Sequence, residues 1–133
     1  MSLSKPQLKG RLLKRIITLV LAGILAVGAV TGLAACSAEP INMSQVTAVI
    51  DVRSGQEYAS GHLEGAINMD VESANFAEQI STLDKNGSYV LYCHSGRRAG
   101  IALDTMKAAG FTNVVNAGGY QDASNATKLP IVQ

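Results

Sequence analysis

Cys93 opens the segment Cys93-His94-Ser95-Gly96-Arg97-Arg98, which joins the apolar run Tyr89-Val90-Leu91-Tyr92 to a stretch with helical spacing. A cysteine at a strand-to-helix junction faces the positive end of the helix dipole and backbone N–H groups that lack intrahelical acceptors. Two arginines follow within the same turn. Such surroundings favour thiolate over thiol, and the thiolate is the nucleophile. The segment therefore predicts an anion-accepting pocket with a reactive sulfur at its centre. Loop N–H groups from His94 to Arg98 are expected to curl around the sulfur as a nest, and Gly96 lets the backbone turn its own N–H inward.

Two histidines compete for a role beside this cysteine. His94 adjoins it, but adjacent loop residues usually point apart, so a place at the substrate mouth is the better reading than a general base. His62 lies in the Gly61-His62-Leu63-Glu64-Gly65 turn, where a structural hydrogen bond is expected. Ser95 is expected to hydrogen-bond within the loop. Nucleophilic chemistry of this kind requires no metal and no organic cofactor.

The elements that must position these residues alternate in type. Val46–Val52 is a β-branched run of the kind found in buried parallel strands. Ser54 and Glu57 have the spacing of a capping box. Residues 65–69 suggest a short strand, and 72–83 a helix with Phe76, Ile80 and Leu83 on one face. Tyr89–Tyr92 is the strand before the loop. Residues 99–109 form a helix, 112–115 a strand and 120–126 a last helix. Strands alternating with helices predict an α/β domain with a mainly parallel sheet. Sites in such sheets lie beyond the carboxyl ends of the strands. Asp51-Val52-Arg53 and Cys93 both occupy such ends and are expected to share one mouth.

The 133 residues divide sharply by charge: the first 35 carry five cations and no acid, the remainder six cations against ten acids. That remainder shows no basic patch outside the loop arginines, which argues against nucleic-acid binding. From Ile16 to Val30 the chain is apolar apart from Thr18, Gly23 and Gly28, with basic residues before it and small residues after it. That is the layout of a secretory signal peptide. The segment ends Leu33-Ala34-Ala35-Cys36, which resembles the bacterial lipobox, where the cysteine is lipidated and becomes the first residue after cleavage. The expected organisation is a signal peptide over 1–35, a tether over 36–40 and one domain over 41–133. The protein would then be exported and lipid-anchored in the bacterial cell envelope on the extracytoplasmic side, with Cys93 as its one remaining thiol. The alternative is an uncleaved signal anchor, since 16–35 has the length to span a bilayer. A monomer is the default for so small an anchored domain.

Taken together, Asp51-Val52-Arg53, Glu57-Tyr58, the turn from Gly61 to Asn68 and the loop Cys93–Arg98 resemble the rhodanese family, whose active loop is C-x-x-G-x-R. Asn116-Ala117-Gly118-Gly119-Tyr120 and Leu129-Pro130-Ile131-Val132 are similar to its closing segments. The resemblance spans residues 41–133. It implies a five-stranded parallel sheet flanked by helices, and sulfur transfer through a persulfide on Cys93. The substrates would be a small anionic sulfur donor such as thiosulfate and a thiol or cyanide acceptor. Arg98 matches the recurring loop arginine and is expected to pair with Asp51 and brace the loop, with a strand-end cap as the alternative role of Asp51. Arg97 is then the better candidate to contact an anionic donor, with a solvated surface charge as the alternative, and Arg53 is either a second rim cation or a plain surface residue. Tyr120 stands where many members carry tryptophan, which alters packing more than chemistry.

Two other functions compete. Phosphatases and arsenate reductases of related fold place the arginine after five loop residues rather than four. One residue fewer narrows the cradle towards a single sulfur. A persulfide carrier with little turnover would use the same loop.

Overall fold

The computed structural model describes residues 39–133, so the signal-peptide and lipobox readings, including Cys36, lie outside the described residues. The strands are β1 (Ala48–Asp51), β2 (His62–Leu63), β3 (Ile67–Asn68), β4 (Ser88–Cys93), β5 (Asn113–Gly119) and β6 (Ile131–Val132). The helices are α1 (Gly55–Ala59), α2 (Phe76–Ser81), α3 (Arg97–Ala108) and α4 (Tyr120–Thr127). Among the described residues no helix is long and apolar enough to cross a membrane.

The fold is the expected α/β type with a parallel sheet flanked by helices, with one change of count. Four strands, in the order β3-β1-β4-β5 and all parallel, make the main sheet, rather than five. β2 and β6 pair antiparallel in a separate two-stranded ribbon, with His62 opposite Val132 and Leu63 opposite Ile131. The closing segment thus returns to the Gly61–Gly65 turn and does not extend the main sheet.

Side chains alternate across β1 and β4, as the two-residue period of a strand requires. Ile50, Tyr89, Leu91 and Cys93 face one layer, built from Phe76 and Ile80 of α2, Ala99, Ala102 and Met106 of α3, and Phe111. Val49, Val90 and Tyr92 face the other, with Leu63, Ala66, Ala117 and Ala123 of α4. Burial on both faces explains why these strands read as unbroken apolar runs. Ile80, Leu91 and Met106 are all at least 98% buried, and each such side chain contributes about 1.5–3 kcal/mol.

Several boundaries differ from expectation for local reasons. Residues 70–75 make turns, held by Ser73 N–H to Asp70 O and Phe76 N–H to Ser73 O, so α2 starts only at Phe76. β5 runs four residues past Val115, because its pairing to β4 continues through a bulge: Leu91 faces Asn116, yet Cys93 faces Gly119. The extra residue bends β5 towards the Cys93 loop. α3 begins at Arg97, directly after the loop, rather than at Ala99.

Candidate active site

The chain reverses its direction of strand addition between β3 and β4, which lie on opposite sides of β1. Asp51 and Cys93, at the carboxyl ends of neighbouring strands, flank that switch point, the place where parallel sheets open a crevice.

The loop turns at Gly96, whose φ of +92° lies in the left-handed region. A Cβ there would also sit 3.1 Å from Gly118 Cα, so both conformation and crowding call for glycine. The turn aims the Gly96 N–H at Cys93 Sγ, 3.0 Å away. Of the expected nest, this is the one amide that donates to the sulfur. The N–H groups of Arg97, Arg98 and Ala99 precede the first intrahelical bond, from Gly100 N–H to Gly96 O, and so remain the free donors of a helix N-terminus. Asn116 fastens the loop from behind: its Nδ2 donates to Gly96 O at 3.0 Å and its Oδ1 accepts from Gly118 N–H at 2.8 Å. Gly119 lies against the His94 carbonyl, where a Cβ would approach to 2.5 Å.

Cys93 itself is 1% exposed and packs with the apolar layer of α2 and α3. The loop residues after it, His94, Ser95, Arg97 and Arg98, line a hollow of about 440 Å³ together with Glu57 and Glu72. Ser95 is exposed in this lining, and among the described residues its side chain makes no hydrogen bond, contrary to expectation. His94 is exposed and stacks on Tyr120, with ring centroids 6.0 Å apart. It therefore stands at the rim, facing an aromatic ring. His62 keeps to a structural role: its Nδ1 donates to Tyr58 O at 3.0 Å, and its ring stacks on Tyr58 at 3.8 Å.

The ion pairs differ from the expected ones. Arg98 does not reach Asp51. Its two terminal nitrogens grip Glu57 in a fork, at 2.7 and 2.8 Å, and one of them lies 3.6 Å from Glu72. The capping box explains why Glu57 is available. Ser54 donates to Glu57 Oε2 through its N–H at 3.2 Å and its hydroxyl at 3.1 Å, so the start of α1 holds the carboxylate in place. Hydrogen bonding to Arg98, aided by Ser54, draws the Glu57 pKa down from 4.5 to about 2. The same bond holds Arg98 above its ordinary value. These contacts also offset an unfavourable placement, two arginines in the first turn of α3 with no acid among them.

Asp51 pairs with Arg53 instead. Arg53 is no rim cation; it is 4% exposed, and Asp51 is wholly buried. Arg53 donates to Asp51 through Nε at 3.0 Å and Nη2 at 2.6 Å, and through Nη2 to Gly61 O at 2.6 Å. Asp51 also accepts the Arg53 backbone N–H at 2.9 Å, the strand-end cap that was its alternative role. The guanidinium lies over Tyr92 and Tyr120, 5.8 and 5.1 Å from their centroids. Burial opposes the Arg53 charge, yet the bond and charge of Asp51 keep its pKa raised. Arg97 remains exposed at the hollow.

Three residues at this site were not singled out by sequence reading. Glu57 was visible as half of a capping box and within the Glu57-Tyr58 piece of the family resemblance, Glu72 only as the start of an expected helix, and Asn116 only within a closing segment. No local signal marks their place at the loop, because the loop partners of Glu57 and Asn116 are 41 and 20 residues away. Among the described residues no cluster of three His, Cys, Asp or Glu could hold a metal ion.

Several known proteins are similar to this chain. Thiosulfate sulfurtransferase PspE of Escherichia coli (strain K12) is 40% identical over 75 residues, which cover 55% of this chain and 70% of PspE. The putative sulfur carrier protein YrkF of Bacillus subtilis (strain 168) is 34% identical over 68 residues, 51% of this chain and 36% of YrkF. A solved structure described as a rhodanese with anions from E. coli superposes with a TM-score of 0.54 at 34% identity, covering 65% of this chain and 96% of that one. The Rhodanese-like domain profile matches residues 35–126, well over half the sequence and the whole strand–loop–helix unit around Cys93, so this chain belongs to the rhodanese-like family.

Proposed function

We propose that this chain is a sulfurtransferase that carries a sulfane sulfur on Cys93. The observation that bears most weight is the Gly96 N–H held 3.0 Å from Cys93 Sγ at the head of α3. A donor there meets a sulfur already placed against a backbone dipole. The Cys93 thiolate attacks the outer sulfur of the donor, a new S–S bond forms, and the donor's own bond to that sulfur breaks. The electron pair leaves on sulfite when thiosulfate is the donor. An acceptor thiolate or cyanide then attacks the terminal sulfur and restores the Cys93 thiolate. Splitting one transfer into two displacements is covalent catalysis. The Gly96 amide and the free amides at the start of α3 stabilise negative charge on the sulfur in both states.

Intact-mass measurement after exposure to thiosulfate tests this reading. The expected result is a gain of one sulfur atom, absent in Cys93→Ser and removed by cyanide. No gain in mass overturns it.

A carrier with little turnover is the second reading, favoured by the burial of Cys93 and the relative named a putative sulfur carrier. Stoichiometric loading with negligible steady-state turnover on cyanide would select it.

The proposal includes location. The basic, apolar and small-residue order of residues 1–35, closing on Cys36, supports an exported protein held to a membrane by a lipid on that cysteine. Palmitate labelling in growing bacteria is expected for the native chain and lost in Cys36→Ala; equal labelling of both removes the anchor.

A further inference from the structure

The hollow beside Cys93 contains two carboxylates as well as two arginines. Glu57 takes one N–H from each terminal nitrogen of Arg98 and offsets its charge, so that guanidinium attracts a substrate anion less strongly. Glu72 is different. Its side chain is 62% exposed and sits 3.6 Å from Arg98, beyond a good hydrogen bond. It neither caps a helix nor locks the arginine, yet it places a negative charge on the wall. The four charges sum to zero, and Arg97 is left as the one arginine there without a carboxylate partner among the described residues.

We infer that Glu72 is a specificity-determining residue that turns the hollow against dianionic sulfur donors and towards donors of lower negative charge, such as the persulfides of small thiols. A repulsive element of this kind discriminates by penalising the wrong partner rather than by gripping the right one. Thiosulfate brings two negative charges past Glu72; the persulfide of mercaptoethanol brings one. A charge a few ångströms away across a wet hollow alters approach by about threefold per unit of reagent charge. Glu72 is a positioning charge that takes no part in bond making.

The donor claim rests on the sulfur-transfer reading, but the electrostatic claim has its own test. Alkylation of Cys93 by iodoacetate and by iodoacetamide follows one step: the thiolate forms a C–S bond and iodide departs. The two reagents differ by one charge. Their rate ratio cancels any change in thiolate fraction or loop opening, which a merely structural role of Glu72 would alter equally for both. The full chain, Glu72→Gln and Glu72→Lys are compared, with modification at Cys93 read by peptide mass. The iodoacetate-to-iodoacetamide ratio is expected to rise about threefold in Glu72→Gln and about tenfold in Glu72→Lys, and less in high salt. Sulfur loading from thiosulfate relative to mercaptoethanol persulfide is expected to rise by the same factors. An unchanged alkylation ratio in Glu72→Lys overturns the inference. A risen alkylation ratio with an unchanged loading ratio overturns donor selection by Glu72. If neither donor loads sulfur while the alkylation ratio rises, the sulfur-transfer reading falls and charge selection by Glu72 stands.

Discussion

The Asp51–Arg53 and Glu57–Arg98 pairs use the same fork-to-carboxylate chemistry in two different solvents. The first joins residues two apart, with side chains 0% and 5% exposed. The second joins residues 41 apart, with side chains 36% and 15% exposed, on the wall of the hollow. In the interior, each charge depends on its partner, and breaking such a pair leaves an uncompensated charge. At the hollow, water shares the load and the pair contributes little stability. What it contributes there is position: it joins the start of α1 to the start of α3. The buried pair secures the mouth of the sheet by tying β1 to the Gly61 carbonyl, while the exposed one shapes the electrostatics around the sulfur.

The most severe break of this contrast is Asp51→Ala, expected to lower unfolding free energy by about 3–5 kcal/mol in urea denaturation. A loss below about 1 kcal/mol would put both pairs in the same class.

A milder one concerns pH. Glu57 titrates near 2 in the folded chain against 4.5 ordinarily, because Arg98 and Ser54 bond its charged form. Its stabilisation is therefore complete above pH 4.5, declines as the pH falls from 4.5 towards 2, and is gone below 2. Melting curves of the native chain and Glu57→Gln should differ by about 1 kcal/mol above the upper limit, after solvent screening, and converge in acid. A gap that persists at the acid end would show that something other than this charge holds Arg98.

The smallest expected change in stability is for Arg97→Ala, within about 0.5 kcal/mol of the native chain. Its KM for thiosulfate should nevertheless rise about threefold. An unaltered KM would make Arg97 a plain surface charge and sharpen the contrast, leaving the loop amides as the anion contacts.

What could be read beforehand follows the range of each interaction. Ser54 and Glu57 sit three apart, so their capping box was legible, as was the burial of Ile50, Leu91 and Tyr92 in strands covered on both faces. The partner of Arg98 was not. Asp51 and Glu57 both precede the loop and both carry carboxylates, and only the packing of α1 and α3 onto the sheet puts Glu57 within reach. Similarly, nothing local announces that Arg53 is buried; that depends on Gly61, Tyr92 and Tyr120 meeting around it.

Sequence by itself determined the alternation of the main-sheet strands with helices, a turn at Gly96 and the place of Cys93 at a strand end, because periodicity and backbone conformation are local. Tertiary structure alone decided which carboxylate each arginine meets, that β6 pairs with β2 outside the main sheet, and that Glu72 and Asn116 come near the loop. Such contacts are set by how layers pack, and side chains tens of residues apart carry no shared period from which the packing could be read.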